Sequence, residues 1–88
     1  MNYYYKLKIG QKGFCLYYFE SKKSSAKPLG MVILPSYSIQ ALSESESGKP
    51  FSVVLAHISA RSYVFAFENE VQQNNWILKL SNATMVQN

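Results

Sequence analysis

The sequence has one cysteine, one histidine and no aspartate among its 88 residues. Cys15 has no partner for an internal disulfide, and a small domain without such a bond is typical of a reducing compartment. His57 has no second histidine and no cysteine near it in the sequence, so no metal-ligand set is present. No nucleophile pattern and no Gly-rich phosphate loop accompany it. The sequence therefore predicts an intracellular protein that is not an enzyme, with no catalytic residues, metal or cofactor.

Charged residues are also scarce, at 16% of the chain against roughly 25% in average soluble domains. No apolar run approaches the roughly 20 residues that span a bilayer, and lysines occupy the N-terminal stretch where a signal peptide would be apolar. The chain is instead 48% hydrophobic, with seven Tyr, five Phe and one Trp, which favours folding over disorder. A chain of this length closes one core. We expect a single domain over residues 1–88.

The charge is unevenly distributed. The net charge is +4, yet six of the nine basic residues and one of the five acidic residues lie in residues 1–30. That segment therefore carries +5 and the remainder −1. A basic N-terminal region of this kind favours an anionic partner.

Aromatic and aliphatic runs of strand length recur between short turn sequences. The first two runs flank Gly-Gln-Lys-Gly and predict a hairpin. A lysine-rich loop follows at residues 21–28. The serine- and glutamate-rich segment at residues 43–50 has no hydrophobic pattern, which predicts a solvated loop. The predicted strands, which together span residues 3–67, are residues 3–9, 14–19, 29–34, 37–42, 51–58 and 62–67.

One helix is predicted, over residues 70–84. Asn69 is a suitable N-cap, Glu70 lies in the first turn, and Gln72 stands where a capping-box partner would be. Strands followed by one terminal helix predict a mainly β protein, an antiparallel sheet with its C-terminal α-helix covering one end. The apolar stripe that would pack on the sheet, with the tryptophan as its core anchor, is Trp76, Ile77, Leu80, Ala83 and Thr84.

This order of elements resembles a pleckstrin homology domain, a seven-strand antiparallel sandwich or open barrel with a C-terminal helix. Cys-Leu-Tyr-Tyr-Phe-Glu at residues 15–20, followed by Pro-Leu-Gly at residues 28–30, is similar to the family's passage from third to fourth strand. Trp76 is similar to the tryptophan of the family's helix, and Phe-Glu-Asn-Glu at residues 67–70 to the junction before it. Within the family, the chain most resembles cytohesin-type domains, which bind phosphoinositide headgroups.

The resemblance leaves two registers open. In the first, residues 3–8 align with the family's second strand, so the first strand and the basic loop after it are absent. Met1 and Tyr3 then stand where lipid-binding members have a Lys-x-Arg pair. In the second, residues 3–9 are the first strand and residues 14–21 the second, which breaks the match to Pro-Leu-Gly. We favour the first register, which predicts an N-terminally truncated domain with an exposed strand edge.

The resemblance and the charge pattern together indicate candidate anion-binding residues. The loop with Lys22, Lys23 and Lys27 borders the family's open mouth, and Tyr18 matches a tyrosine whose hydroxyl meets a headgroup phosphate. Leu29 stands where those domains have an arginine, so one charged donor is lost. The alternatives are solvated loop lysines and a tyrosine packed against its cross-strand partners. Three further lysines, which either extend the basic face or protect an edge strand, are Lys6, Lys8 and Lys12.

Three kinds of function remain open. The first is a PH-type module that recruits a larger intracellular signalling protein to phosphoinositide-containing membranes, which predicts a cytoplasmic protein, peripheral at membranes. The second is protein interaction without specific lipid binding, through sheet edges or the helix groove. The third is single-stranded nucleic-acid binding by a small barrel with tyrosines and interleaved lysines, against which the terminal helix argues. The resemblance and the basic N-terminal region favour the first.

Overall fold

The fold is mainly β with a C-terminal helix, as predicted. The computed structural model describes residues 3–23 and 25–85. Two three-stranded antiparallel sheets have the orders β1-β2-β3 and β4-β5-β6. The elements are β1 (Tyr4–Gly10), β2 (Gly13–Phe19), β3 (Gly30–Ile33), β4 (Ser38–Leu42), α1 (Glu44–Ser47), β5 (Ser52–Ala56), β6 (Tyr63–Ala66) and α2 (Glu70–Thr84).

The first two strands form the predicted hairpin. Gly10 lies opposite Gly13 across a two-residue turn, and Gly13 has a φ of 119°, a conformation that favours glycine. Leu7 is half-buried between the exposed Lys6 and Lys8, because successive side chains of a strand point to opposite faces. The predicted period of two in this strand is confirmed.

The prediction of a loop at residues 43–50, with no helix besides the C-terminal one, is wrong. The first helix, α1, is a single turn whose N-cap, Ser43, accepts a hydrogen bond through Oγ from the Glu46 N–H at 3.3 Å. None of its residues is buried, so no hydrophobic period marks it in the sequence. The spacing of Ser43 and Glu46 is that of a capping box, a local signal that hydrophobic periodicity overlooks.

The C-terminal helix α2 covers the core, lying against β4, β2 and β5. Trp76 is half-buried against this core. The apolar residues of β2 and β5 that meet the helix point to the inside of the sandwich. The buried residues of the core are Leu16, Val32, Leu34, Val53, Leu55, Phe65, Phe67, Leu80 and Ala83.

The N-terminus of α2 is capped as predicted, with one difference. Asn69 Oδ1 accepts a hydrogen bond from the Gln72 N–H at 2.9 Å. The Gln72 side chain does not return to Asn69, as a capping box requires, but accepts from the Glu68 N–H at 3.3 Å. The Gln72 side chain thus satisfies the backbone N–H of the residue that precedes the N-cap.

Tyr5 links the two sheets from the inner face of β1. Its ring centroid lies 5.3 Å from that of Phe65, and its hydroxyl donates to the Ala66 carbonyl oxygen at 3.4 Å. Burial, with a smaller contribution from neighbouring Tyr3, raises the pKa of Tyr5 above its ordinary value of 10.0. The folded protein therefore favours the neutral phenol.

This raised pKa predicts alkaline destabilisation. Above roughly pH 10 the unfolded chain releases the Tyr5 proton while the folded chain keeps it, so the free energy of unfolding falls as pH rises; below that pH the contribution is fully present. Tyr5→Phe is expected to reduce this fall, whereas Tyr17→Phe, on the outer face of the sheet, is expected to leave it unchanged. The free energy of unfolding of each variant is measured in urea from about pH 8 to about pH 11. Identical pH dependence in wild type and Tyr5→Phe would contradict the prediction.

Candidate functional site

One end of the sandwich, which we name the mouth, brings two loops together. It is bounded by the β2–β3 loop (residues 20–29) and the β5–β6 loop (residues 57–62). Tyr18, near the end of β2, and Tyr63, at the start of β6, meet there with ring centroids 6.4 Å apart. The β1–β2 turn lies at the opposite end. Residues far apart in the sequence thus share one surface.

Tyr18 both packs and presents a polar group. Its ring centroid lies 5.1 Å from that of Phe65 and 5.6 Å from that of Tyr3. The ring covers Gly30 so closely that a Cβ at that position would overlap it. No hydrogen bond joins the hydroxyl to another described residue, and no fully enclosed polar side-chain atom of the described residues lacks a partner, so the hydroxyl of this half-buried residue keeps some exposure. Its donor is therefore not used by the described residues.

The predicted lysine loop is exposed beside Tyr18. Lys22 Nζ lies 5.0 Å from the ring centroid of Tyr4, at the start of β1. Lys23 and Lys27 are exposed. A backbone hydrogen bond from the Ala26 N–H to the Lys23 carbonyl oxygen, at 2.9 Å, makes a turn within the loop. The loop that carries the three lysines thus borders the mouth from the first sheet, while the ammonium group of Lys22 lies over Tyr4 of β1.

Arg61 adds a cation from the second sheet. Its guanidinium carbon lies 4.6 Å from the ring centroid of Tyr63, whose ring in turn contacts Tyr18. The Tyr37 hydroxyl donates to the Arg61 carbonyl oxygen at 2.7 Å and ties the loop to the start of β4. Sequence reasoning counted Arg61 only as a charge. No local signal marks it, because a single arginine in a short loop becomes a site residue only when the two sheets pack together.

Of the lysines of the first hairpin, Lys6 lines one groove together with Lys22 of the lysine loop. Lys6 Nζ is 5.3 Å from the ring centroid of Phe19 and Lys8 Nζ is 5.5 Å from that of Tyr17, both on the outer face of the first sheet. Lys12 lies in the β1–β2 turn, roughly 20 Å from the mouth by the rise of a seven-residue strand. The structure therefore separates Lys12 from the lysine loop.

Two residues at the mouth replace charges that the family resemblance implies. Leu29 is 51% exposed, so an apolar side chain stands in place of an arginine. Tyr3, 37% exposed, stands in place of the second base of the Lys-x-Arg pair. Met1, in the position of the first, lies outside the described residues. The mouth consequently has more apolar surface and fewer fixed donors than the resemblance implies.

The single histidine has a structural role. His57 lies just after β5 and not within a strand, and its Nδ1 accepts a hydrogen bond from the Ser59 N–H at 3.0 Å. Within residues 3–23 and 25–85, no three His, Cys, Asp or Glu side chains come close enough together to hold a metal ion. Of the helices described, none is long and apolar enough to cross a membrane.

Trp76 is half-buried and also borders a groove. Its ring stacks on that of Phe67, with centroids 6.1 Å apart, and lies 5.7 Å from that of Tyr5. Lys79 Nζ sits 4.9 Å from the indole centroid. The groove, of about 600 Å³, runs between β1, the end of β6 and α2. Trp76 therefore both packs against the core and lines this groove.

Comparisons with known proteins agree on one family. A family model described as PH domain matches residues 2–85. Ras GTPase-activating protein 1 of Homo sapiens is 36% identical over 66 residues, which are 70% of this chain and 6% of that protein. Interactor protein for cytohesin exchange factors 1 of Homo sapiens is 32% identical over 76 residues, which are 86% of this chain and 17% of that protein. The chain thus matches only a small part of the length of these relatives.

A solved structure supports the same assignment. The solution structure of the PH domain of human pleckstrin homology domain-containing protein family A member 5 superimposes with a TM-score of 0.64 at 26% identity. The superposition covers 99% of this chain and 77% of that one.

Proposed function

Because the chain belongs to the PH domain family, we propose that it is a binding module that brings a larger intracellular signalling protein to membranes containing phosphoinositides. The observation that carries this proposal is the mouth. There Tyr18, whose hydroxyl no described residue bonds, shares one end of the sandwich with the exposed lysine loop of its own sheet and with Arg61, which stacks on the neighbouring ring of Tyr63. Charge-assisted donors arranged around a neutral hydroxyl suit a phosphate group.

The mode of binding follows from the kinds of residue at the mouth. Lys22, Lys23 and Lys27 are flexible, solvated point charges and do not form a fixed fork. The guanidinium of Arg61 is the one planar bidentate donor that the described part of the mouth offers, and Leu29 contributes none. We therefore expect binding that responds to the charge of the membrane surface and to salt more than to the pattern of headgroup phosphates.

Vesicle co-sedimentation tests the proposal. Three vesicle types are compared, namely phosphatidylcholine alone, phosphatidylcholine with phosphatidylserine, and phosphatidylcholine with phosphatidylinositol 4,5-bisphosphate at the same total charge. Pelleting with the phosphoinositide vesicles at moderate salt supports the function. If the protein stays in the supernatant with all three, lipid binding is refuted and the protein-interaction alternative remains. Pelleting only in the absence of salt would indicate non-specific attraction.

The β5–β6 loop offers an apolar side chain to the same membrane. Ile58 is fully exposed, at 100%, three residues before Arg61. An aliphatic side chain beside cations at one end of a domain suits the boundary between headgroups and acyl chains. Ile58→Ser is expected to weaken vesicle binding by about tenfold or more, since burying an isoleucine side chain contributes about 1.5–3 kcal/mol.

A matched control for Ile58 lies at the other end of the domain. Val71, in the first turn of α2, is 68% exposed, and Val71→Ser is expected to leave vesicle binding unchanged. Titration with phosphoinositide vesicles measures both variants. Equal loss in the two variants, or no loss in Ile58→Ser, would contradict insertion of this loop.

A further inference from the structure

The first sheet is apolar on both of its faces. Its inner face belongs to the core of the sandwich, where Leu16 and Val32 are buried. On its outer face, Cys15 and Phe19 are also buried, although neither belongs to that core. An antiparallel sheet with one face in water usually alternates apolar and polar residues, whereas strands covered on both faces are continuous apolar runs. β2 and β3, which contain no charged residue, are of the second kind.

The pairing registers arrange the outer-face side chains in rows across the three strands. Each row runs from a lysine of β1, through a residue of β2, to an aliphatic residue of β3. The two rows are Lys6, Tyr17 and Met31, and Lys8, Cys15 and Ile33. Because neighbouring strands lie about 4.8 Å apart, the lysines are separated from the aliphatic residues by about 10 Å.

The outer face presents aliphatic side chains beside unneutralised cations. Met31 and Ile33 are each 41% exposed. The ammonium groups of Lys6 and Lys8 lie over the rings of β2, so their stems cover apolar surface while the charges stay in water. The three strands contain no acidic residue, so none of their own side chains neutralises the two lysines. The face therefore suits a surface that is both apolar and acidic.

This face does not depend on the edge of β1. A strand paired along that edge would lie in the plane of the sheet, beside Lys6 and Lys8, and would not cover Met31 or Ile33. The backbone groups of a sheet also point along this plane, so the face offers none of them to a partner that lies on it. Such a partner must satisfy its own backbone groups, as an α-helix does.

We propose that the outer face of the first sheet binds an amphipathic α-helix of a partner protein, with apolar residues against β2 and β3 and acidic residues on the side towards β1. Residues four apart in a helix rise about 6 Å, close to the roughly 6.6 Å between alternate residues of a strand, so successive apolar residues can follow Met31 and Ile33. A helix about 10 Å wide over these two strands brings its flank to Lys6 and Lys8. This proposal does not rest on lipid binding.

A second copy of the chain supplies no such helix. An exposed apolar stripe on α2 consists of Val71 and Leu78, with Met85 at the C-cap. The acidic residue of α2 is Glu70, before this stripe, and Lys79 follows Leu78 directly. A helix with one carboxylate at its start and a cation in its second half does not complement two lysines. The charge pattern therefore favours a different, acidic partner.

The probe is a fluorescently labelled, end-capped peptide of about 20 residues, long enough to form a helix alone. Leucines follow one side at the helical spacing of three and four residues, glutamates follow one flank, and alanines fill the rest. Saturable binding in fluorescence anisotropy is expected. We expect none for a peptide of the same composition with leucines all around the helix, or for the first peptide with two central prolines. No binding of the first peptide, or equal binding of either control, would overturn the proposal.

Two single variants identify the face. Ile33→Thr keeps a β-branched side chain in the strand and removes apolar surface, so we expect peptide binding to weaken about fivefold. Val64→Thr makes the same kind of change on the outer face of the second sheet, where the side chain is 51% exposed, and should bind as wild type. Urea midpoints verify that both variants fold. Equal loss in the two, or loss in Val64→Thr alone, overturns the assignment to the first sheet.

A charge exchange tests the acidic flank. In the double variant Lys6→Glu, Lys8→Glu, we expect the preference to reverse, with binding of the peptide that has lysines in place of its glutamates. The control is Lys49→Glu, Lys79→Glu, which changes the net charge equally away from the first sheet and should keep the preference for glutamate. An unchanged preference in the first variant, or reversal in both, would overturn the role of Lys6 and Lys8.

Two other occupants of the face give distinct results. A membrane is the occupant if Ile33→Thr weakens pelleting with phosphatidylcholine–phosphatidylserine vesicles, and we expect no such loss. A second copy is the occupant if sedimentation velocity shows a concentration-dependent dimer that Ile33→Thr dissociates, and we expect a monomer. Either result would refute the proposal. The peptide measurements contain no lipid, so their failure is distinct from failure of membrane binding at the mouth.

Discussion

The double variant Lys22→Glu, Lys23→Glu is expected to lose nearly all binding to phosphoinositide vesicles, by about 30-fold or more. A basic side chain near an anionic leaflet contributes about 1 kcal/mol, and reversal replaces that attraction with repulsion at two neighbouring positions. Both lysines are exposed at the mouth, so the fold should not change. Quantitative co-sedimentation at fixed salt measures the loss, and the unfolding midpoint in urea verifies the fold.

The chain supplies a control with the same change in net charge. Lys12 lies in the β1–β2 turn, at the end of β2 opposite the β2–β3 loop, and Lys49 lies before the start of β5, at the end of that strand opposite the β5–β6 loop. Lys12→Glu, Lys49→Glu is therefore expected to keep most of the binding. If both double variants lose binding equally, net charge governs the association and the mouth has no special role. If neither loses binding, the proposed membrane surface is refuted.

The architecture could be predicted because its signals are local. Leu7 lies between two lysines with period two, and Asn69 caps the helix through its side chain. Each of these two signals depends on a few consecutive residues and on the regular geometry of a single strand or helix. The same is true of the one helical turn that the prediction missed, since Ser43 and Glu46 have capping-box spacing and only the emphasis on hydrophobic period hid them.

The composition of the site could be predicted only in part, because it depends on how the two sheets pack. The lysine loop and Tyr18 belong to one continuous segment that resembles the family. Arg61 lies more than thirty residues after that segment and reaches the mouth only through its contact with Tyr63.

Cationic side chains stack on aromatic rings at several places on the surface. Five of the nine basic residues lie within 5.5 Å of an aromatic ring centroid. On the outer face of the first sheet this arrangement covers apolar surface as well as holding charge: Phe19 is only 8% exposed, and the Lys6 ammonium lies over its ring. The stem of a lysine can shield a ring while its ammonium stays in water. Contact with a ring thus restricts the position of these five cationic groups before an anionic partner binds.

The attachment of α2 to the sheets depends on very few buried side chains, and this predicts a large effect of one substitution. Leu80 is fully buried, and the other buried residue of the helix is the small Ala83. Leu80→Ala is expected to reduce the free energy of unfolding by about 2–5 kcal/mol, through lost transfer energy and the cavity left between the sheets. In a domain whose total stability is of order 5–15 kcal/mol, such a loss leaves a large unfolded fraction on mild heating. Urea unfolding followed by circular dichroism measures it.

The helix supplies its own control two residues earlier. Leu78 is 64% exposed on the opposite face, so Leu78→Ala makes the same chemical change and is expected to alter stability by no more than about 0.5 kcal/mol. If the two variants unfold at the same urea concentration, Leu80 does not hold the helix in place. The difference between them separates burial from helix propensity, because both positions lie in the same helix and undergo the same change of side chain.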